Sequence, residues 1–152
     1  MANTQAFCTQ AKADLMNGLH AFGASVVRGA TTKDAYKAAL FLVSATRGAA
    51  DTVYNTTGEV TGTGYTAGGV AVTTGTAPST SGTTAFFTPS ASIVYTTVTL
   101  STAFDAVLIY NDTSATKLAV SVHTFGSQTV TAATFTLTMP TNDATTGLIR
   151  IA

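Results

Sequence analysis

The stretch over residues 104–125 constrains this chain most. It opens with Phe104-Asp105-Ala106-Val107-Leu108-Ile109-Tyr110, which is apolar on both parities. A strand of that composition needs cover on both faces. It closes with Lys117-Leu118-Ala119-Val120-Ser121-Val122-His123-Thr124-Phe125, which alternates: Leu118, Val120 and Val122 fall on one side, Lys117, Ser121 and His123 on the other. Between them Asn111-Asp112-Thr113-Ser114-Ala115-Thr116 is made of turn formers. The pattern predicts an antiparallel hairpin with one fully buried and one half-buried strand, and further strands packed on it.

Residues 3–22 read as the one helix. Phe7, Ala11, Leu15, Leu19 and Phe22 recur at helical spacing. Asn3 or Thr4 suits the N-cap and Gly23 the C-terminal stop. Gly18 weakens the middle by about 1 kcal/mol relative to alanine, so packing on a sheet must hold it. Residues 31–44 suit a helix by their alanines and a buried strand by Tyr36 and residues 40–43; the strand, from 36 to 44, is preferred. Breakers crowd residues 46–69, from Arg47-Gly48 to Gly68-Gly69.

Strands follow at 69–74, 83–88, 92–100, 134–139 and 148–151, with a turn at 78–82 and a connection at 126–133. On these, Val94, Val98 and Leu100 share one parity. Phe135, Leu137 and Met139 point inward, with Thr134, Thr136 and Thr138 outward. Short strands with turn signals between them indicate a sandwich or barrel. The length of 152 residues suits one domain with a real core: a helix at 3–22 and a β-rich body over about 36–152.

Charge is sparse. Seven basic and seven acidic residues cancel, which gives no electrostatic case for nucleic acid or an anionic membrane. Charged residues make up 9% of the chain, against about 25% in an ordinary soluble domain. Between Glu59 and Asp105 there are none. Threonine, roughly a fifth of the chain, favours strands. Such a surface suits a life in an assembly, since interface cores are depleted in charge. Cys8 stands alone, so no intrachain disulfide forms. The N-terminus lacks the pattern of a signal peptide, and no apolar run reaches the about 20 residues that span a bilayer. Synthesis in a cytoplasm is expected.

The order of motifs resembles a family of small structural proteins of tailed bacteriophages. Thr56-Thr57-Gly58-Glu59-Val60-Thr61-Gly62-Thr63-Gly64-Tyr65-Thr66-Ala67-Gly68-Gly69 is similar to its "TxEVxGxGYxAGG" segment. Ala106-Val107-Leu108-Ile109-Tyr110-Asn111 resembles its "GALIYN" strand, and residues 120–127 its "VxVxDFGS" strand and turn. Residues 134–140, followed by Leu148-Ile149-Arg150-Ile151-Ala152, resemble its "FTxTxP…IIRIA" ending. Met16-Asn17-Gly18-Leu19-His20-Ala21-Phe22 is similar to its "LNGxHxF" opening. The likeness runs in consistent order from about residue 36 to the C-terminus. Thr124 stands where the family often has Asp, Asp105 where it has Gly, and residues 23–30 look like an addition. The resemblance implies a virion protein with no catalytic residues to carry over.

Candidate chemistry is thin. His20 and His123 have no cysteine or acidic cluster at ligand spacing. Asp105, Asp112 and Asp143 are scattered and lack the calcium-loop spacing; Asp112 and Asp143 read as turn residues bonding the local backbone. Gly62-Thr63-Gly64 and Gly68-Gly69 lack the lysine and helix of a phosphate loop and read as tight turns needing positive φ. No Gly-x-Ser-x-Gly elbow exists. Asn55-Thr56-Thr57 and Asn111-Asp112-Thr113 read as turns rather than glycosylation acceptors. Aromatic residues in and near the uncharged half either fill the core or anchor subunit contacts. The candidate contact residues are Phe86, Phe87, Tyr65, Tyr95 and Phe7, with Phe86 and Phe87 on opposite faces of a strand.

The sequence therefore predicts a mainly β domain, an antiparallel sandwich or jelly-roll-like fold with an N-terminal helix. The expected role is that of a non-enzymatic phage virion protein without cofactor or metal. The leading expectation is a capsid decoration or cement protein that binds the major capsid protein as a homo-oligomer, a trimer or another symmetric ring. The alternative is a tail or fibre component, with carbohydrate binding on loops within 46–69.

Overall fold

The computed structural model describes residues 2–8, 11, 15, 19–23, 33–82 and 84–151. Its strands are β1 (Ala6–Phe7), β2 (Tyr36–Leu42), β3 (Val70–Val72), β4 (Ser79–Ser81), β5 (Thr84–Phe87), β6 (Ile93–Asn111), β7 (Ala119–Leu137) and β8 (Ile149–Ile151). They form two antiparallel sheets, ordered β1-β7-β6-β2-β3 and β4-β5-β8. The protein is mainly β, as the alternating and doubly apolar runs predict.

The expected hairpin lies at the centre. Leu108 pairs with Val122, Ile109 with Ser121 and Tyr110 with Ala119. On the other side of β6, Ala38 pairs with Ile109 and Leu40 with Val107. Strands therefore flank residues 106–111 on both edges, and both faces are covered. Ala106, Leu108 and Tyr110 pack with Cys8, Ala11, Ala39 and Phe41. Val107 and Ile109 pack with Tyr36, Leu40, Ile93 and Ile149.

β6 and β7 are each 19 residues long. They absorb the break expected after residue 100 and the connection expected at 126–133. The pair does not run straight. A straight strand would separate residues 125 and 135 by about 33 Å, yet the rings of Phe125 and Phe135 lie 5.5 Å apart, with Phe104 edge-on to Phe135 at 5.0 Å. The β6–β7 ribbon thus doubles back. Its far end brings Ile93 and Tyr95 into the same core cluster as Val107 and Ile109, with Phe135 and Leu137 packed against it.

Bulges make the bend and overturn two parity expectations. Thr97 and Ala132 have φ of 50° and 46°, and the register shifts between Tyr95 and Val98 and again towards Phe104. An extra residue swaps the faces that follow it. Ile93 and Tyr95 are buried while Val94 is 43% exposed; beyond Thr97, Val98 and Leu100 turn inward. A further shift between Ile109 and Tyr110 sends Val120 into one core cluster and Val122 into the other. Ala119 to Val122 are all buried, so this part of β7 is not the half-buried strand expected. Downstream, Phe135 and Leu137 are half-buried between exposed threonines, as the alternation predicts.

The helix expected over residues 3–22 is not seen. Ala6 and Phe7 pair with Val122 and Ser121 as β1. Asn3, instead of capping a helix, donates to Leu42 O at 2.9 Å and to the Asp105 carboxylate, and accepts from Arg47 N at 2.9 Å. These bonds and the β7 pairing would be lost in a helix, and tertiary pairing overrides a weak propensity. Ala11 and Leu15 are the helical positions among the described residues of that stretch, and 12–14 and 16–18 lie outside the description. Leu19, expected on the buried face, is 47% exposed, while Phe22 stacks on Tyr36 at 5.3 Å. The addition at 23–30 lies outside the description beyond Gly23. Residues 79–81, expected as a turn, are β4; Gly82, at φ 58°, makes the turn into β5.

Candidate functional site

The densest polar constellation lies in the loops between β2 and β3. Glu59 is buried. Its Oε2 accepts from the Tyr54 hydroxyl at 2.7 Å; its Oε1 accepts from the Tyr65 hydroxyl and from Gly68 N, each at 2.7 Å. Tyr65 Oη accepts from Leu40 N at 3.0 Å, which ties the loop to β2. Tyr110 donates to Gly68 O at 2.9 Å and stacks on Tyr54 with ring centres 4.4 Å apart. Burial first, and then the Glu59 carboxylate, push the Tyr54 and Tyr65 hydroxyls far above the ordinary phenol range. Burial pushes Tyr110 up to about 12.

The glycines permit this wiring by close approach. Thr63 bridges Thr99 of β6, with Thr99 N donating to Thr63 O at 2.8 Å. A Cβ on Gly62 would collide with Thr99 O. Gly69, at φ +72°, leaves no room beside Ala38 O. Gly64, Gly68 and Gly69 have the positive φ expected; Gly62 is needed for space instead.

Beside this hub Arg47 is also buried, a role its reading as a turn residue missed. Its guanidinium carbon lies 4.0 Å from the centre of the Phe41 ring. Its donors reach Asp51 Oδ1 at 3.0 Å, Asn55 Oδ1 at 2.8 Å and Thr57 O at 2.6 Å. The signal available in the sequence was an arginine followed at i+4 by an aspartate within a chain holding few charges. A shallow cavity of about 370 Å³ opens here, lined by Ser44, Thr46, Arg47, Asp51, Asn55 and Thr57. It can offer neutral hydrogen-bonding groups; the guanidinium is already engaged.

Four of the five contact candidates serve one core cluster rather than an exposed patch: Phe87 and Tyr95 are buried in it, and Phe7 and Tyr65 pack against it. Tyr95 is buried, donates to Ala38 O at 2.8 Å, and stacks on Tyr65. Phe87 is buried against Phe22, while its neighbour Phe86 is half-buried between Ser79 and Arg150. Phe7 is half-buried in β1 and Tyr65 half-buried over the hub.

The histidines and aspartates have local partners. His123 lies 2.9 Å from Ser121 Oγ, and burial pushes its imidazole down to about 4. His20 is buried beside Asn111. Asp143 accepts from the backbone and hydroxyls of Thr145 and Thr146, the turn role expected; those bonds hold its carboxyl well below the usual range. Asp112 differs from expectation. Its carboxylate bridges Lys117 at 2.9 Å and Lys37 at 3.3 Å, and Lys117 foremost lowers its pKa. The turn role falls to Asn111, whose Oδ1 accepts from Thr113 N and Ser114 N. Cys8 is buried, which pushes its thiol up to about 12. Among the described residues, no group of three or more His, Cys, Asp and Glu is placed to hold a metal ion.

The architecture defines a mainly antiparallel β protein with a loop hub centred on Glu59. No family model matches the chain, and neither does any curated protein or solved structure.

Proposed function

We propose that this chain is a non-enzymatic structural protein of a tailed-phage virion that decorates and cements the capsid by binding the major capsid protein. The observation that carries the reading is what the most distinctive motif does. Glu59, Gly62, Tyr65, Gly68 and Gly69 tie one another and β2 and β6 together, and the polar atoms of Glu59 and Tyr65 are taken up in that wiring. A motif used in this way marks a rigid scaffold rather than a reactive site. The two sheets with their shared apolar cluster fit a sandwich or jelly-roll-like arrangement. Near-zero net charge fits a protein partner better than nucleic acid. Copies in a trimer or another symmetric ring would attach to several capsomers at once, so modest contacts sum through avidity.

Copy number per virion tests this, by quantitative mass spectrometry against the major capsid protein. A simple fraction of the capsid copy number is expected; a handful of copies per particle would overturn it. The polar cavity beside Arg47 favours the second reading, a tail or fibre component that binds carbohydrate there. Glycan-array binding that is lost in Asn55→Ala would support it. Silence on the array would remove it.

A further inference from the structure

We propose that the outer edge of β7 over residues 126–131 is a self-association edge, at which two copies of this chain pair antiparallel about a two-fold axis. The inference rests on the strand geometry and stands apart from the virion reading. β7 is the neighbour of β6 along its whole length, but on its other side β1 covers only Ser121 and Val122. Beyond Phe125 that side has no partner strand among the described residues. A strand edge of this kind presents unpaired N–H and C=O groups, and free proteins blunt such edges with lysine, proline or a covering element. Among the described residues none of these protects this one, and the register shifts against β6 fall to either side of Gln128 and Val130. No Asp, Glu, Lys or Arg occurs between Lys117 and Asp143, and Pro140 lies past the strand. Gly126, Ser127, Gln128, Thr129 and Thr131 are exposed. The opposite edge of the ribbon, by contrast, is tied down where Thr63 bridges Thr99.

A second copy is the occupant that fits. The outer strands of the two sheets, β1, β3, β4 and β8, are two or three residues each, too short to match this run. Another β7 matches it residue for residue. Self-pairing about a two-fold brings each group opposite its own kind, which repels when the edge is charged and does not when it is neutral. The positive φ at Ala132 ends the run, and residues opposed in an antiparallel pair share a parity, so the axis falls on a residue, Gln128. Gln128 then faces Gln128 of the second copy, and Ser127 faces Thr129. Threonine and glutamine side chains there supply cross-strand hydrogen bonds.

Sedimentation velocity of the full chain over a range of concentrations tests this, alongside Gln128→Lys and Gln128→Glu. The wild type is expected to form a two-fold assembly. Each variant alone should dissociate at least tenfold more readily, with circular dichroism and melting unchanged because the site is exposed. Mixing the lysine and glutamate variants should restore association, an outcome that misfolding cannot mimic. Thr129→Lys should behave like Gln128→Lys. A wild type that stays monomeric at about 1 mM overturns the proposal. So does an assembly that Gln128→Lys leaves intact, which would place the interface elsewhere, and so does a mixture that fails to reassociate.

Discussion

Replacing Glu59 tests whether the loop hub is held by hydrogen bonds or by charge. In Glu59→Ala, two donors lose their acceptor inside the protein: the buried Gly68 N and the Tyr65 hydroxyl. Each unsatisfied buried donor costs about 1–3 kcal/mol. Tyr54, half-buried, can turn to water and adds little. The expected loss is about 4 kcal/mol, a large share of the about 5–15 kcal/mol that holds a domain together. Glu59→Gln is the informative contrast. Its carbonyl oxygen keeps the place of Oε1 and accepts from Tyr65 and Gly68, while its amide faces the Tyr54 hydroxyl, which can accept as readily as donate. What disappears is the charge assistance, about 1 kcal/mol. Urea denaturation followed by circular dichroism measures both, since the chain has no tryptophan. A double-mutant cycle with Tyr65→Phe should give a coupling of about 1–2 kcal/mol. If Glu59→Gln costs as much as Glu59→Ala, the charge and not the bonding geometry holds the hub. If Glu59→Ala costs under about 1 kcal/mol, the hub does not anchor the loop.

Three further outcomes are expected. Gly62→Ala places a methyl against Thr99 O, so the loop must lift and release the Thr99–Thr63 bond; a loss of about 3 kcal/mol should appear in the same urea titration. Thr97→Gly relieves a β-branched residue at φ 50° on an exposed site, and should raise stability by about 0.5–1 kcal/mol after glycine's own entropy cost, read as a melting point about 2 °C higher. Burial holds His123 near 4, below its unfolded value of 6.5, so the unfolded chain takes up the proton first as pH falls. Stability should be complete well above about pH 6.5, fall between 6.5 and 4 by at most about 3 kcal/mol, and level off below; His123→Gln should remove that share of the slope.

The hairpin was legible because its signal is local and redundant. Residues 106–109 are apolar on both parities, and only a strand flanked and covered on both sides uses that pattern. The reversal of the β6–β7 ribbon was not legible, because bulges leave no compositional trace. Thr97 and Ala132 look like ordinary strand residues, yet they set which face Val94 or Val98 presents. The helix over residues 3–22 failed for a related reason. The spacing of Phe7 and Ala11 fits a helix, but the partner that decides the matter is the edge of β7, more than a hundred positions away. In the loop hub, the glycines were recognisable as turns and the tyrosines as core or contact residues. What could not be read was that Glu59, an acidic residue in a turn-rich segment, points inward and gathers them.

The allocation of charge links the fold to the association proposed at β7. A chain with seven acidic and seven basic residues would be expected to keep them outside, where they prevent self-contact. Here Asp34, Arg47 and Glu59 are buried. Asp112 with Lys37 and Lys117 sits at the hairpin turn, far along the chain from the bend of the ribbon. Charges thus secure loops and the turn, Asp105 on β6 is half-buried and bonded by Asn3, and the exposed positions of the doubled β6–β7 ribbon are neutral. A neutral surface raises no electrostatic barrier to a second copy and requires no ion to be desolvated on contact. If that neutrality serves association, one lysine on the ribbon at Gln128 should change the oligomeric state, while an added lysine at exposed Thr56, in the loop hub, should not.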